Sequence, residues 1–354
     1  MKRFYCQCKQ EIFFNNAFCD KCGRDLIYDP KAQTMWSGVL TDHDFITHPN
    51  SSTNETAPVV LHPCNNRNSA IHCNWAVSSE HDTQCVSCKT TRYIPDLSIP
   101  KNNQRWLTIE RAKRQLISSL ISLNLPIENY HEKEGGLAFD FLEDQRSNPN
   151  VALEHVLTGH SNGVITINAA EADEGFLHVM KEQMGEPYRT ILGHFRHEVG
   201  HYYWDQLIQT DYQLQVFREL FGDERQDYEK ALQHYYNQKK PKFKSSQFIT
   251  PYASSHPFED WAETWAHYMH IVDTLETAVS YGLSSYEPKI NDFNSWFSEW
   301  ARVAQIMNAL NRSMGLTDAY PFILTQIVRN KLEFIDSLID GYADFPSNIT
   351  KPLK

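Results

Sequence analysis

Apolar positions along the chain recur with two periods. In "PYRTILGHFRHEVGHYYWDQLI", Leu192, Phe195, Val199 and Tyr202 fall at helical spacing. That stripe predicts a helix with one buried face, opened by Pro187 in its first turn. A second helical pattern begins at "WLTIERAKRQLISSLISLNL", with Leu107, Ile109, Ala112, Leu116, Leu120 and Ile121. Two more follow, in "FNSWFSEWARVAQIMNALNRSMGL" and "YPFILTQIVRNKLEFIDSLI". The other period is two. "GVITINAA" alternates from Val164 to Asn168 and predicts a β-strand.

The stretch before these patterns is different. "TDHDFITHPNSSTNETAP" is too polar to build a core by itself. "YIPDLSIPKNNQRW" has two prolines in a polar setting, which sets a boundary near residue 100. A chain of 354 residues, 41% of them hydrophobic, accommodates two domains. No run of about 18 apolar residues exists, so no membrane span is expected. The opening "MKRFYCQCKQEIFF" lacks the apolar run of a secretory signal, so cytoplasm is the expected location. A net charge of −11 argues against nucleic acid as a partner. The acidic excess lies after residue 99, with 24 Lys/Arg against 34 Asp/Glu, while residues 1–99 carry 9 against 10.

All eight cysteines lie in the near-neutral part. In a reducing compartment such clustering reads as metal ligation. "CQC" and "CDKCG" give Cys6, Cys8, Cys19 and Cys22. Cys64, Cys73 and "CVSC" (Cys85, Cys88) give a second four. Four thiolates close a tetrahedral zinc shell, so both sites are expected to be structural. In the second group His62, His72 or His81 is an alternative to a cysteine. A protein-docking or scaffold role suits this region.

The first helical stretch carries the candidate chemistry. His197 and His201 are four apart and share one helix face. That spacing lets two imidazoles bind one zinc, with Glu198 roughly 100° around the helix and placed to take a proton from water at the metal. Gly200 sits inside the helix, where glycine costs about 0.8–1 kcal/mol relative to alanine, so something must approach the backbone closely. A third ligand is required. "PYASSHPFEDWAETWAHYMH" supplies a helix opened by Pro257, with Glu259, Glu263 and His267 on one face and Trp261, Ala262, Trp265 and Ala266 on another. Glu259 as ligand, with Glu263 hydrogen-bonded to a ligating histidine, fits. Asp260 and Glu263 are the alternative ligands. Tyr252 is a candidate to stabilise an oxyanion. His160, His194, His234, His256 and His270 read as surface or supporting residues. "FGDERQDY" either lines the cleft or forms a solvated face. In zinc proteases with this order of elements an edge strand precedes the helix, so "GVITIN" is expected at a sheet edge, able to pair with an extended peptide.

Taken together, "CQC…CDKCG…YDP", "GVITINAAEADE", "GEPYRTILGHFRHEVGHYYWD", "FGDERQDY" and "YASSHPFEDWAETWAHYMHIVDTLETA" resemble a bacterial family of zinc-binding metallopeptidases with an N-terminal zinc-ribbon domain. The resemblance covers roughly residues 3–340. It implies an α+β chain: a zinc-ribbon domain over 1–99, then a mostly helical zincin-like, gluzincin-type metallopeptidase domain over 100–345. It also implies a cytosolic protein, and carries over His197, Glu198 and His201. The expected cofactors are three zinc ions, one catalytic and two structural. The expected partner is a peptide or protein substrate, with a protein partner possible at the ribbon. The alternative is a non-catalytic zinc protein that binds partners through its ribbon and cleft.

Overall fold

The computed structural model describes residues 2–47, 58–177, 190–238, 244–288 and 292–343. Pro187 and the end of the expected domain at 345 lie outside the described residues. The chain divides into two compact units, one drawn from residues 3–195 and one from residue 196 onward together with the first two residues.

The first unit opens with two cysteine-bearing turns. Strands β1 (Phe4–Tyr5) and β2 (Glu11–Ile12) form a hairpin around Cys6 and Cys8. In the turn at Cys19, the Gly23 N–H donates to the Cys19 carbonyl at 2.8 Å. An antiparallel meander follows: β3 (Asp25–Asp29), β4 (Thr34–Leu40), β5 (Phe45–Thr47) and β6 (Val60–Leu61). Its core is Ile27, Trp36, Phe45 and Ala76. Tyr28 links this sheet to Trp75 and Phe14, at ring separations of 4.8 and 4.9 Å. Cys85 and Cys88 bracket the first turn of α1 (Val86–Lys89).

Helix α2 (Pro100–Ser122) begins with proline in its first turn, six residues before the helical pattern that starts at Trp106. Ile109, Leu116 and Leu120 are buried, whereas Leu107, Ala112 and Ile121 are half-buried. The helix also buries charge. Lys113 donates to Glu110 at 3.1 Å, and both Arg114 amino groups donate to the Ile71 carbonyl. The Tyr28 and Ser118 hydroxyls lie 3.0 Å apart. Helix α2 therefore packs on the cysteine-rich part of its own unit.

A mixed sheet completes the unit: β7 (Thr91–Tyr93), β8 (Ala138–Leu142), β9 (Gly159–Ser161) and β10 (Val164–Asn168), in the order β7-β8-β10-β9. The alternating "VITIN" is indeed a strand. The edge placement is wrong, however. β10 lies between β8, to which it runs parallel, and β9, to which it runs antiparallel. The reason is local. Asn162 and Gly163 both have positive φ, 46° and 81°. Two such residues in succession make the two-residue turn that folds a strand back on its neighbour, and β9 takes the side left for a peptide.

The second unit is helical. α3 (Ile191–Leu207) enters it at Arg196. Next come α4 (Asp211–Phe221), with a Thr210/Gln213 capping box, and α5 (Tyr228–Tyr236). A single 3-10 turn, Tyr252–Ser254, leads to α6 (Pro257–Ser280). α7 (Phe293–Ser313) and α8 (Gln326–Ala343) pack on α6. The helical reading of "YPFILT" fails over residues 320–325, which form no helix; α8 starts at Gln326. No helix among the described residues is long and apolar enough to cross a membrane.

Candidate metal centres

Three groups of metal-ligating side chains converge among the described residues. In the first unit, Cys6 and Cys22 sulfurs are 3.6 Å apart, Cys8 and Cys19 3.7 Å. In the second cysteine group, Cys73 lies 3.7 Å from Cys85 and 3.8 Å from Cys88. Four sulfurs at about 2.3 Å from one zinc stand about 3.8 Å from one another, whereas a disulfide is about 2.05 Å long. Both groups therefore have the dimensions of a tetrahedral thiolate shell. The alternative histidines are elsewhere. His62 Nδ1 is 2.9 Å from Asp44, and His72 and His81 are exposed.

The third group is built by α3 and α6. The first turn of α6 is capped by His256, whose Nδ1 accepts from the Phe258 N–H at 3.1 Å, and Pro257 follows it. Glu259 and Asp260 occupy that turn, where the positive end of the helix favours carboxylates. The helix turns its apolar side to α3. A methyl group added at Gly200 would stand 3.1 Å from Ala262 Cα and 3.1 Å from Trp265 Cβ. Trp261 Nε1–H donates to the Gly200 carbonyl at 2.8 Å. This is the close approach that the interior glycine called for.

The approach brings Glu259 to the two histidines. His197 Nε2 is 3.0 Å from Glu259 Oε2, and His201 Nε2 is 3.5 Å from Glu259 Oε1. His197 Nδ1–H donates to Glu263 Oε1 at 2.7 Å, and Thr250 Oγ1–H donates to Glu263 Oε2 at 2.6 Å. The Glu263 carboxylate can only accept, so it accepts the hydrogen bond from Nδ1 and leaves Nε2 facing a Glu259 oxygen. Two acceptors so close need a positive charge between them. Burial works against a charged His197, yet its bonds to Glu259 and Glu263 hold its pKa well above the usual range. Burial likewise works against a charged Glu259, and the two histidines hold it well below. Donor atoms about 2.0–2.2 Å from one tetrahedral ion lie about 3.4 Å apart. His197, His201 and Glu259 thus fit a zinc ion in donor type, spacing and charge.

Glu198 follows His197 on α3 and is buried. The Tyr252 ring is 5.9 Å from that of His197. Burial, and then the Glu259 charge, keep the Tyr252 phenol well above its usual pKa, so it stays a donor. "FGDERQDY" divides. Glu224 pairs with Arg218, Asp223 pairs with Arg225, and Asp227 caps α5. Tyr228 alone enters the centre, its O–H donating to Glu259 Oε1 at 2.6 Å. Nothing in the sequence around Tyr228 marks it out for the centre. His160, His194, His234, His256, His267 and His270 are not in the cluster. His194 pairs with Glu171, and His267 Nδ1 meets the Tyr320 hydroxyl at 2.8 Å.

Asp260 points elsewhere. Its Oδ2 accepts from Lys331 Nζ of α8 at 2.5 Å, both groups being buried, and Lys331 also donates to the Gln247 carbonyl at 2.7 Å. One ammonium thus ties α8 to the residue beside Glu259 and to the segment leading to Thr250. Burial pushes Asp260 up to about 7 even against the Lys331 charge. Replacing Lys331 by Met removes that charge and raises Asp260 further. A carboxylate whose folded pKa lies above its unfolded value binds more protons when folded, so stability falls as pH rises from about 4 through the folded pKa. Lys331→Met is therefore expected to destabilise the chain by about 3–5 kcal/mol at pH 8 and by less at pH 5. Urea unfolding at the two pH values checks this; an equal loss at both would refute it.

Residues 102–338 match the family described as "Putative zinc-binding metallo-peptidase", and residues 3–99 match a zinc-ribbon domain. The chain belongs to that metallopeptidase family. Its relatives include uncharacterized proteins of Mycobacterium bovis and Mycobacterium tuberculosis, each 38% identical over 355 residues, covering 97% of this chain and 96% of the relative. No solved structure matches the chain. In this metallopeptidase family member the fold class agrees with expectation: cysteine clusters and strands at the N-terminus, then a largely helical part.

Proposed function

We propose that the protein is a zinc-dependent metallopeptidase that hydrolyses peptide bonds, holding one catalytic and two structural zinc ions. The observation that carries this reading is the convergence of His197, His201 and Glu259, all within 4.8 Å of one another, with Glu198 next to His197 on the same helix. His197, His201 and Glu259 would hold the ion. Zinc, when bound, supplies a Lewis acid that polarises the scissile carbonyl and lowers the pKa of water.

The remaining roles belong to the chain. Glu198 takes a proton from the attacking water and passes it to the leaving amine. Tyr252 donates its O–H to the oxyanion that develops on the carbonyl. Glu263 orients His197 through Nδ1, and Tyr228 restrains Glu259 through Oε1. We assign the ribbon to residues 1–99, with a protein-docking role, and the catalytic domain to 100–345. Cytoplasm is the proposed location.

Zinc counting on the full chain tests the ligand set. Wild type should hold three ions and His201→Ala two, because the cysteine groups are untouched. A His201→Ala chain that still binds three would refute it. Three zincs without any cleavage would favour the non-catalytic, partner-binding alternative.

A further inference from the structure

The proposed chemistry leaves one cavity of the second unit unused. It has a volume of about 300 Å³ and lies between α5 and the segment before Tyr252, lined by His234, Tyr235, Lys244, Gln247, Ser254 and Ser255 among others. Among the described residues no carboxylate lines it. Its ionisable cations are Lys244 and His234, and neither side chain has a hydrogen-bond or ion-pair partner among the described residues. The Ser255 hydroxyl is also without a hydrogen-bond partner there. The pocket therefore offers spare donors and positive charge in a chain whose net charge is −11.

The pocket is joined to the metal centre through aromatic contacts. The Tyr235 ring meets the Tyr252 ring edge-on at 5.8 Å, and Tyr252 lies 5.9 Å from the His197 ring. An extended peptide covers roughly 3.3–3.6 Å per residue. A peptide cleaved beside His197 thus reaches the pocket within three or four residues.

We propose that this pocket is a substrate subsite for a carboxylate, supplied by an acidic side chain or by the free C-terminus of the peptide. The proposal rests on the metallopeptidase reading and adds the class of residue the substrate carries near the cut. Lys244 supplies the charge, and His234 and the hydroxyl-bearing wall donate hydrogen bonds. Because Lys244 is exposed, its contribution is modest and sensitive to salt.

Binding to the full-length, zinc-loaded Glu198→Gln chain tests this without turnover. The probes are fluorescent hexapeptides in matched pairs. One pair differs by Glu against Gln within the peptide, the other by a free against an amidated C-terminus. At least one pair should show about 3–10-fold tighter binding of the carboxylate form at low salt, and the pair that does identifies its source. Lys244→Glu should abolish or reverse the preference, and Lys244→Arg should keep it, with zinc content unchanged in both. Equal binding within both pairs, a preference that survives Lys244→Glu, or no binding by any peptide overturns the subsite. The metallopeptidase reading fails separately, when wild type cleaves none of the same peptides although the preference is present.

Discussion

Glu198→Gln is expected to lower peptide cleavage by about 10²–10⁴-fold, the usual cost of losing a general base, with three zinc ions still bound. The amide has nearly the shape of the carboxylate but cannot accept a proton near neutral pH. Glu198 is buried on α3 beside His197 and is not one of the converging metal-ligating residues, so the replacement leaves His197, His201 and Glu259 in place. Substrate affinity should change little, which places the loss in kcat rather than KM. The measurement is a peptide-library digest with both chains, accompanied by zinc counting. Equal cleavage by wild type and variant would exclude Glu198 as the base. A variant that has also lost the third zinc would mean that Glu198 supports the ion instead.

Cys73→Ser is expected to release one zinc and unfold the part of the first unit around the second cysteine group. Structural zinc in small domains contributes about 10–16 kcal/mol to folding, more than the stability of a typical domain. Cys73 is fully buried, and the next two residues, Asn74 and Trp75, are buried with it. Trp75 in turn packs on Tyr28 and Phe14. Cys85 adds a second reason. Burial pushes its thiol well above the usual pKa, so without a cation the four sulfurs cannot all ionise. Loss of the ion should therefore disorder the Trp75 cluster, seen as a collapsed near-ultraviolet dichroism signal with a zinc count reduced by one. Retention of the full zinc count and an unchanged spectrum would refute the assignment. Cys22→Ser is the milder comparison, since Cys22 is exposed.

These two tests rest on features of very different legibility. Spacing alone predicted that His197 and His201 share a face, because four residues make about one helical turn. The gathering of Glu259 with them was legible too, once Pro257 had set the start of a helix. Tyr228 was not. It reaches Glu259 from 31 residues away in sequence, and its neighbours in "FGDERQDY" carry charges that turned out to be paired locally. That Asp260 turns away from the histidines was not legible either, because its partner Lys331 lies on a helix 71 residues further on. For "VITIN" the strand was legible but its place in the sheet was not. The deciding signal, Asn162-Gly163, stands immediately before it in the sequence. The charge buried by α2 was hidden for another reason: Glu110, Lys113 and Arg114 look like a solvated face until the partners that satisfy them are known.

The contact at Gly200 also fixes how far apart the two histidines and Glu259 are held. Where α3 meets α6, the separation is set by backbone and Cβ atoms, which have no rotamers with which to yield. His197 and His201 stand on one side of that contact and Glu259 on the other. The spacing of the three side chains is therefore held by something closer to a caliper than to a set of flexible arms. The spacing of His197, His201 and Glu259 is thus written into a residue with no side chain, which is none of the three.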